Sequence, residues 1–207
     1  MTYAELYRRS LQDPEAFWLE AAAGIDWVTP PTRAMHDDRA PLYDWFRDAE
    51  VNTCWNAVDR HVEAGRGDQV AIIHDSPITG TIRNLSYADL RDRVARLAGA
   101  LRAQGIAKGD RVIIYMPMVP EALEAMLACA RLGAVHSVVF GGFAAAELAT
   151  RIDDARPKAI IAASCGIEPG RVVRYKPLLD GAIEAVTHKP EFCVILQREQ
   201  QVADLTP

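Results

Sequence analysis

Arg171, Arg174 and Lys176 place three cations within six positions, directly behind the run Cys165-Gly-Ile-Glu-Pro-Gly170. Guanidinium forks match phosphate oxygens two at a time, and glycine lets a backbone approach an anion closely. The chemistry these residue types offer is the holding of a phosphate, by Arg171 and Arg174 in a glycine-punctuated loop, 166–176, that carries Glu168-Pro169-Gly170. A second reading stands beside it, a solvated basic turn offsetting acids such as Asp153 and Asp154. Glu168 counts for that second reading, because it repels an anion. Upstream, Phe140-Gly141-Gly142-Phe143 also admits two readings: close approach of the backbone to a ligand, or a tight strand-to-helix turn with one glycine at positive φ. It is not the glycine fingerprint of a dinucleotide site, and no phosphate-loop lysine motif occurs.

The remaining reactive side chains suggest no catalytic set and no metal site. Cys54, Cys129, Cys165 and Cys193 are far apart in sequence, without a C-x-x-C pair or a nearby histidine couple, and read as structural thiols. His36, His61, His74, His136 and His188 share no ligand spacing. No serine sits in a nucleophile-elbow context. Met116-Pro117-Met118 reads as core closure or as the wall of an apolar pocket.

The elements that must position these groups follow from periodicity. The leading 64 residues alternate short helical pieces with proline-rich extended segments. Asp13-Pro14 is a helix opening, with the acid at the N-cap and proline at the first helical position. Residues 25–31 and 39–42 read as extended, and Asn52 caps a helix running to about residue 64. Trp18, Trp27, Trp45 and Trp55 all lie in this irregular helical arm. From Gly65 onward strands alternate with helices. Strands are expected at 70–74, 81–85, 111–115, 135–140, 158–163 and 192–196. Helices are expected from Ser86 to Gly105, where Leu90, Val94, Leu97 and Leu101 make an apolar stripe, and over 120–132, 144–155 and 177–186. This is an α/β pattern, a mainly parallel sheet with helices on both faces. Ligands in such sheets sit beyond the carboxyl ends of the strands, here residues 115–119, 140–143 and 163–171.

With 207 residues, half of them hydrophobic, 25% charged and a net charge of −5, the profile is that of an ordinary globular chain. A nucleic-acid surface needs a concentrated basic face, and none shows outside 171–176, so no nucleic-acid partner is expected. Nothing approaches the run of about 18 apolar residues that spans a bilayer. The start, Met1-Thr-Tyr-Ala-Glu-Leu-Tyr-Arg-Arg9, has no signal-peptide core, and the cytoplasm is the expected compartment.

The order of motifs resembles a known family. The runs Asn52-Thr-Cys-Trp-Asn-Ala-Val-Asp-Arg-His-Val62, His74-Asp-Ser-Pro-Ile-Thr-Gly-Thr81 and Ser86-Tyr-Ala-Asp-Leu90 resemble short-chain acyl-CoA synthetases that form an acyl-adenylate. So do Lys108-Gly-Asp-Arg-Val112, Tyr115-Met-Pro-Met-Val-Pro-Glu121 and Arg131-Leu-Gly-Ala-Val-His-Ser-Val-Val-Phe-Gly-Gly-Phe143. The loop from Gly166 to Asp180 is similar to the propionate-type branch, and the resemblance covers essentially the whole chain.

The resemblance implies an acetyl-CoA-synthetase-type N-terminal arm over 1–64 and an incomplete first subdomain of the adenylate-forming domain over 65–207. It implies ATP (with Mg²⁺), a short carboxylic acid and coenzyme A as the reactants of the full-length family. Coenzyme A contacts are implied at Glu168, Pro169, Gly170, Arg171, Arg174, Gly141 and Gly142. In acetate-activating relatives the matching loop carries two arginines; Arg171 matches the second and Glu168 replaces the first. The family's ATP loop ending in Pro-Lys-Gly, its aromatic-Gly-x-Thr-Glu stretch, its ribose aspartate and its late lysine do not occur in these residues. The expectation is a chain inactive alone, completed by a C-terminal portion or a complementary chain. A non-catalytic coenzyme- or nucleotide-binding module is the alternative. The strands near 135–140, 159–163 and 192–196 would then lack their usual cover.

Overall fold

The computed structural model describes residues 1–205. They fall into two compact units that divide between Asn56 and Ala57. The first is the irregular helical segment the sequence suggests. Helix α1 (Tyr3–Gln12) begins in a capping box, in which Thr2 accepts from the Glu5 amide and Glu5 accepts from the Thr2 amide. Helix α2 (Pro14–Ala22) follows with Asp13 capping Ala16 at 3.1 Å. Two short antiparallel pairs complete the unit, β1 (Trp27–Thr29) with β4 (Glu50–Val51) and β2 (Met35–His36) with β3 (Asp44–Trp45). Aromatic rings hold these pieces together: Trp18 meets Trp45 edge-on at 5.6 Å, and Trp27 meets Phe46 at 5.5 Å. The helix expected from Asn52 is wound as two π-helical turns, Trp55–Asp59 and Val62–Arg66. Gly65 at φ +78° breaks the second, a conformation only glycine adopts without strain.

Beyond these turns the second unit forms a hairpin, β5 (Val70–Ser76) and β6 (Thr81–Ser86). Ser86 then caps α3 (Tyr87–Ala103) in a capping box with Asp89. The buried stripe of α3 is Leu90, Val94, Ala98 and Leu101, so Ala98 takes the place expected of Leu97. Next come β7 (Arg111–Met116), α4 (Pro120–Leu132), β8 (Val135–Phe140), α5 (Ala145–Ala155) and β9 (Ala159–Ala163). After β9 lie β10 (Cys165–Glu168), β11 (Arg171–Arg174), α6 (Tyr175–Ala185) and β12 (Phe192–Leu196). The sheet is parallel, in the order β12-β9-β7-β8. Right-handed crossovers put α4 on one face, and α5 and α6 on the other. The observed packing of α3 on α4 and of α5 on α6 agrees.

One expectation holds and one is corrected. Strand β8 forms the sheet's edge, and Val135, Val138 and Phe140 are exposed, as expected of a strand lacking its usual cover. Strand β9 lies between β7 and β12 and is buried along its whole length, so it is not left uncovered. Among the described residues no helix is long and apolar enough to cross a membrane.

Candidate functional site

The chain reverses direction across the sheet after β8: α4 carries it from β7 to one side, and α5 carries it back past β7 to the other. A crevice at the carboxyl ends of the strands is expected at such a switch point. A cavity of about 410 Å³ lies there, walled by residues 116–119 beyond β7, residues 138–141 ending β8, and Ile167, Glu168 and Tyr175 beyond β9. Residues 74–79 of the first hairpin and Arg198 complete the wall. All three strand ends marked by the sequence therefore meet at one place.

The segment expected to be a loop, 166–176, is instead a β-hairpin. Cys165 to Glu168 pairs with Arg171 to Arg174, leaving Pro169-Gly170 as the turn, with Gly170 at φ +80°. Proline followed by glycine at positive φ is the type II pattern. The base of the hairpin is tied down at Ser164, whose carbonyl accepts from the Tyr175 amide at 3.0 Å and whose hydroxyl accepts from the Arg198 amide at 2.9 Å. The Arg198 guanidinium donates to the Cys165 carbonyl at 3.0 Å. The predicted helix start at Pro177 moves back to Tyr175. Proline is tolerated there because the first-turn amides of a helix have no intrahelical partner.

The register sets Glu168 opposite Arg171, and the two side chains pair. Arg171 Nε and Nη2 reach the same carboxylate oxygen at 2.8 and 2.6 Å. Lys176 is held by Asp180 one helical turn on, at 2.8 Å. Arg174 has no acidic partner among the described residues and borders a smaller cavity with Ser164, Lys176 and Asp180. The cations are thus brought to one hairpin and the first turn of α6, but two of the three are already neutralised.

Gly141 and Gly142 serve different ends. Gly142 has φ +103° and makes the turn out of β8. Gly141 has an ordinary φ, yet a Cβ there would lie 2.5 Å from Tyr175 Oη and 2.8 Å from the Met116 carbonyl oxygen. Gly166 is tighter still, with a Cβ 2.2 Å from Tyr175 Oη and 2.6 Å from its Cζ. The Tyr175 ring thus lies in a slot between two glycines, against Tyr115 at 5.0 Å between centroids. Tyr115 donates to the Phe143 carbonyl at 2.8 Å, and burial raises its pKa. Burial, then the neighbouring Tyr115 and Glu168, push the Tyr175 phenol up to about 12, so it is protonated at neutral pH.

Sequence reasoning found the cations and the glycines but not Tyr175, Ser164 or Arg198. The available signal was the Pro-Gly turn between Ile167 and Val172, which marks a hairpin rather than a loop. His74, set aside as uninformative, borders the cavity, and its Nδ1 is buried without a hydrogen-bond partner.

Residues 58–205 match the family described as AMP-binding enzyme, and residues 3–57 match the acetyl-coenzyme A synthetase N-terminus. An uncharacterised protein of Pseudomonas aeruginosa is 56% identical over 207 residues, 100% of this chain and 33% of that protein. The mitochondrial acyl-CoA synthetase short-chain family member 3 of Rattus norvegicus is 50% identical over 196 residues, covering 95% of this chain and 29% of the relative. The propionate–CoA ligase of Escherichia coli is 43% identical over 198 residues, covering 96% of this chain and 31% of the relative. The chain spans about a third of the length of the curated relatives it matches. It belongs to the AMP-binding enzyme family, as an N-terminal portion of the kind found in short-chain acyl-CoA synthetases.

Proposed function

We propose that this chain supplies the coenzyme-handling corner of a ligase that joins a short carboxylic acid, acetate or propionate, to coenzyme A at the expense of ATP. In that reaction the carboxylate attacks the α-phosphorus of ATP and pyrophosphate leaves. The coenzyme thiolate then attacks the acyl carbon of the adenylate, and AMP leaves. The observation that carries the reading is the meeting of three strand ends and the cation-bearing hairpin around one cavity, in a chain matched throughout by short-chain acyl-CoA synthetases.

Within the reading, Arg171 and Arg174 meet the phosphates of the coenzyme, and residues 168–170 and 141–142 line its approach. Glu168 holds the Arg171 fork in place and lowers its pull on an anion, so this corner binds phosphate more weakly than a pair of arginines would. Tyr115 and Tyr175 close the floor beneath Gly141, which keeps water out from below. Magnesium would enter with ATP. Among the described residues no group of three or more His, Cys, Asp or Glu gathers to hold it.

Calorimetry of the chain with coenzyme A tests the reading. Micromolar binding that weakens with added salt, and at least tenfold in Arg171→Ala, is expected. An absence of binding at millimolar coenzyme would overturn it.

A further inference from the structure

We infer that Arg198 is a positioning residue for the cation-bearing hairpin, fixing through the Cys165 carbonyl and the Ser164 hydroxyl where the turn at residues 168–171 stands. The inference deepens the function proposed above and rests on it, since the phosphates of the coenzyme are what that turn would meet.

The need for such a hold lies in the hairpin itself. Strands β10 and β11 pair only with each other among the described residues, four residues a side. A two-stranded ribbon of that size is marginal alone. Its tip, Pro169 to Val172, is exposed. From Cys165 to Glu168 the ribbon rises about 10 Å, so a tilt of about 10° at the base displaces the tip by about 2 Å. A shift of that size takes an arginine out of hydrogen-bond range of a phosphate. The stance of the base therefore decides what the tip can hold.

Arg198 sets that stance from two atoms at once. The Ser164 carbonyl accepts from the Tyr175 amide, one residue outside the Cys165–Arg174 pair. Cys165 and Arg174 are therefore a non-hydrogen-bonded pair, whose carbonyls face away from the ladder. Cys165 is fully buried, and the Arg198 guanidinium meets its carbonyl at 3.0 Å. The Arg198 amide meets the Ser164 hydroxyl, on a residue 1% exposed, at 2.9 Å. No carboxylate competes for the guanidinium, because the Cys165 carbonyl is the one acceptor of the Arg198 side chain among the described residues.

Arg198 is itself held by the sheet. It follows β12, whose Leu196 stands level with Ala163 of β9, and the Leu196 carbonyl accepts from the Ser164 amide at 2.8 Å. The Arg198 carbonyl accepts from the Gln201 amide at 3.1 Å. The Gln197 side chain makes two bonds of 2.9 Å to the Ala203 backbone. The parallel sheet thus dictates the stance of the hairpin, and the link runs through one residue.

The test titrates coenzyme A into wild type, Arg198→Ala, Arg171→Ala and the double variant, with thermal midpoints recorded beside the affinities. Arg198→Ala should weaken binding roughly five- to tenfold. Because Arg198 acts through the hairpin, the same change should cost only about twofold once Arg171 is gone. Ser164→Ala removes the second hold alone and should weaken binding about two- to threefold; it carries the test should Arg198→Ala fail to fold. A lowered midpoint with unchanged affinity, in Arg198→Ala or in Ser164→Ala where only that variant folds, would overturn the inference by showing a structural role alone. Equal weakening with and without Arg171 would overturn it as well, by showing that Arg198 draws the coenzyme directly. Both results leave the proposed function standing. A wild-type chain that binds no coenzyme A would bring down the proposed function and this inference together.

Discussion

Gly166→Ala is the sharpest probe of how the corner is built. A Cβ at this position would sit 2.2, 2.6 and 2.8 Å from Oη, Cζ and Cε1 of Tyr175, all inside ordinary contact distance. The ring cannot swing away freely, because Tyr115 packs at 5.0 Å and Gly141 closes the other side. Overpacking of a rigid ring belongs at the upper end of the usual range, about 3 kcal/mol. That is a large share of the ~5–15 kcal/mol by which domains are stable. Tyr175→Ala alone removes a buried aromatic and should cost about 3–5 kcal/mol. The two changes should not add. The three atoms nearest the new methyl all belong to the Tyr175 side chain, so in the Tyr175→Ala background Gly166→Ala should cost far less. The predicted coupling is therefore about 3 kcal/mol. Gly141→Ala provides the contrast. It also meets the Met116 carbonyl at 2.8 Å, a backbone atom at the end of a central strand, so loss of the ring should rescue it only in part. Urea unfolding followed by circular dichroism, with unchanged slope, measures all of these. The reasoning fails if Gly166→Ala costs under ~1 kcal/mol, or costs the same with and without the tyrosine ring.

Further outcomes follow from other contacts. Glu168→Gln should leave stability within ~0.5 kcal/mol, since the Glu168–Arg171 pair is largely exposed, but should tighten binding of a phosphate ligand by about 1 kcal/mol, roughly fivefold. Ser86→Ala removes the hydroxyl that accepts from the Asp89 amide at 3.1 Å and should cost ~1 kcal/mol in urea melts. The Asp153 carboxylate accepts from the His188 and Thr187 amides, which hold its pKa below the ordinary carboxylate range. Its contribution to stability is full above that range and is lost as pH falls through its lowered pKa. Asp153→Asn should therefore lie below wild type at neutral pH and converge with it in acid.

The alternation of strands and helices was readable because its punctuation is strong. Ser86 opens α3, Pro120 opens α4, and Gly133 ends α4 at φ +71°, each a residue whose backbone or side chain suits that position. Helix α1 was not read, although Thr2 and Glu5 spell its capping box. Its apolar stripe, Tyr3, Leu6, Tyr7 and Leu11, is short, and the helix buries none of its residues. The hairpin at 165–174 escaped for a different reason. Each strand has only four residues, too few for alternation to show, and the attention its cations drew hid the Pro169-Gly170 turn. The exposure of β8 was expected through the resemblance alone. An apolar strand at a sheet edge has the same composition as one at the centre, and only the pairing order separates them. The role of Gly141 was likewise invisible, since the residue that fills its missing side chain lies 34 positions away.

Amide chemical shifts across a titration with coenzyme A test the central claim most directly, because they show where the ligand sits as well as whether it binds. The account predicts perturbations concentrated in residues 140–142 and 165–175, the largest at the hairpin turn and at Arg171 and Arg174. Perturbations confined to the first 56 residues, or none at millimolar coenzyme, would contradict it.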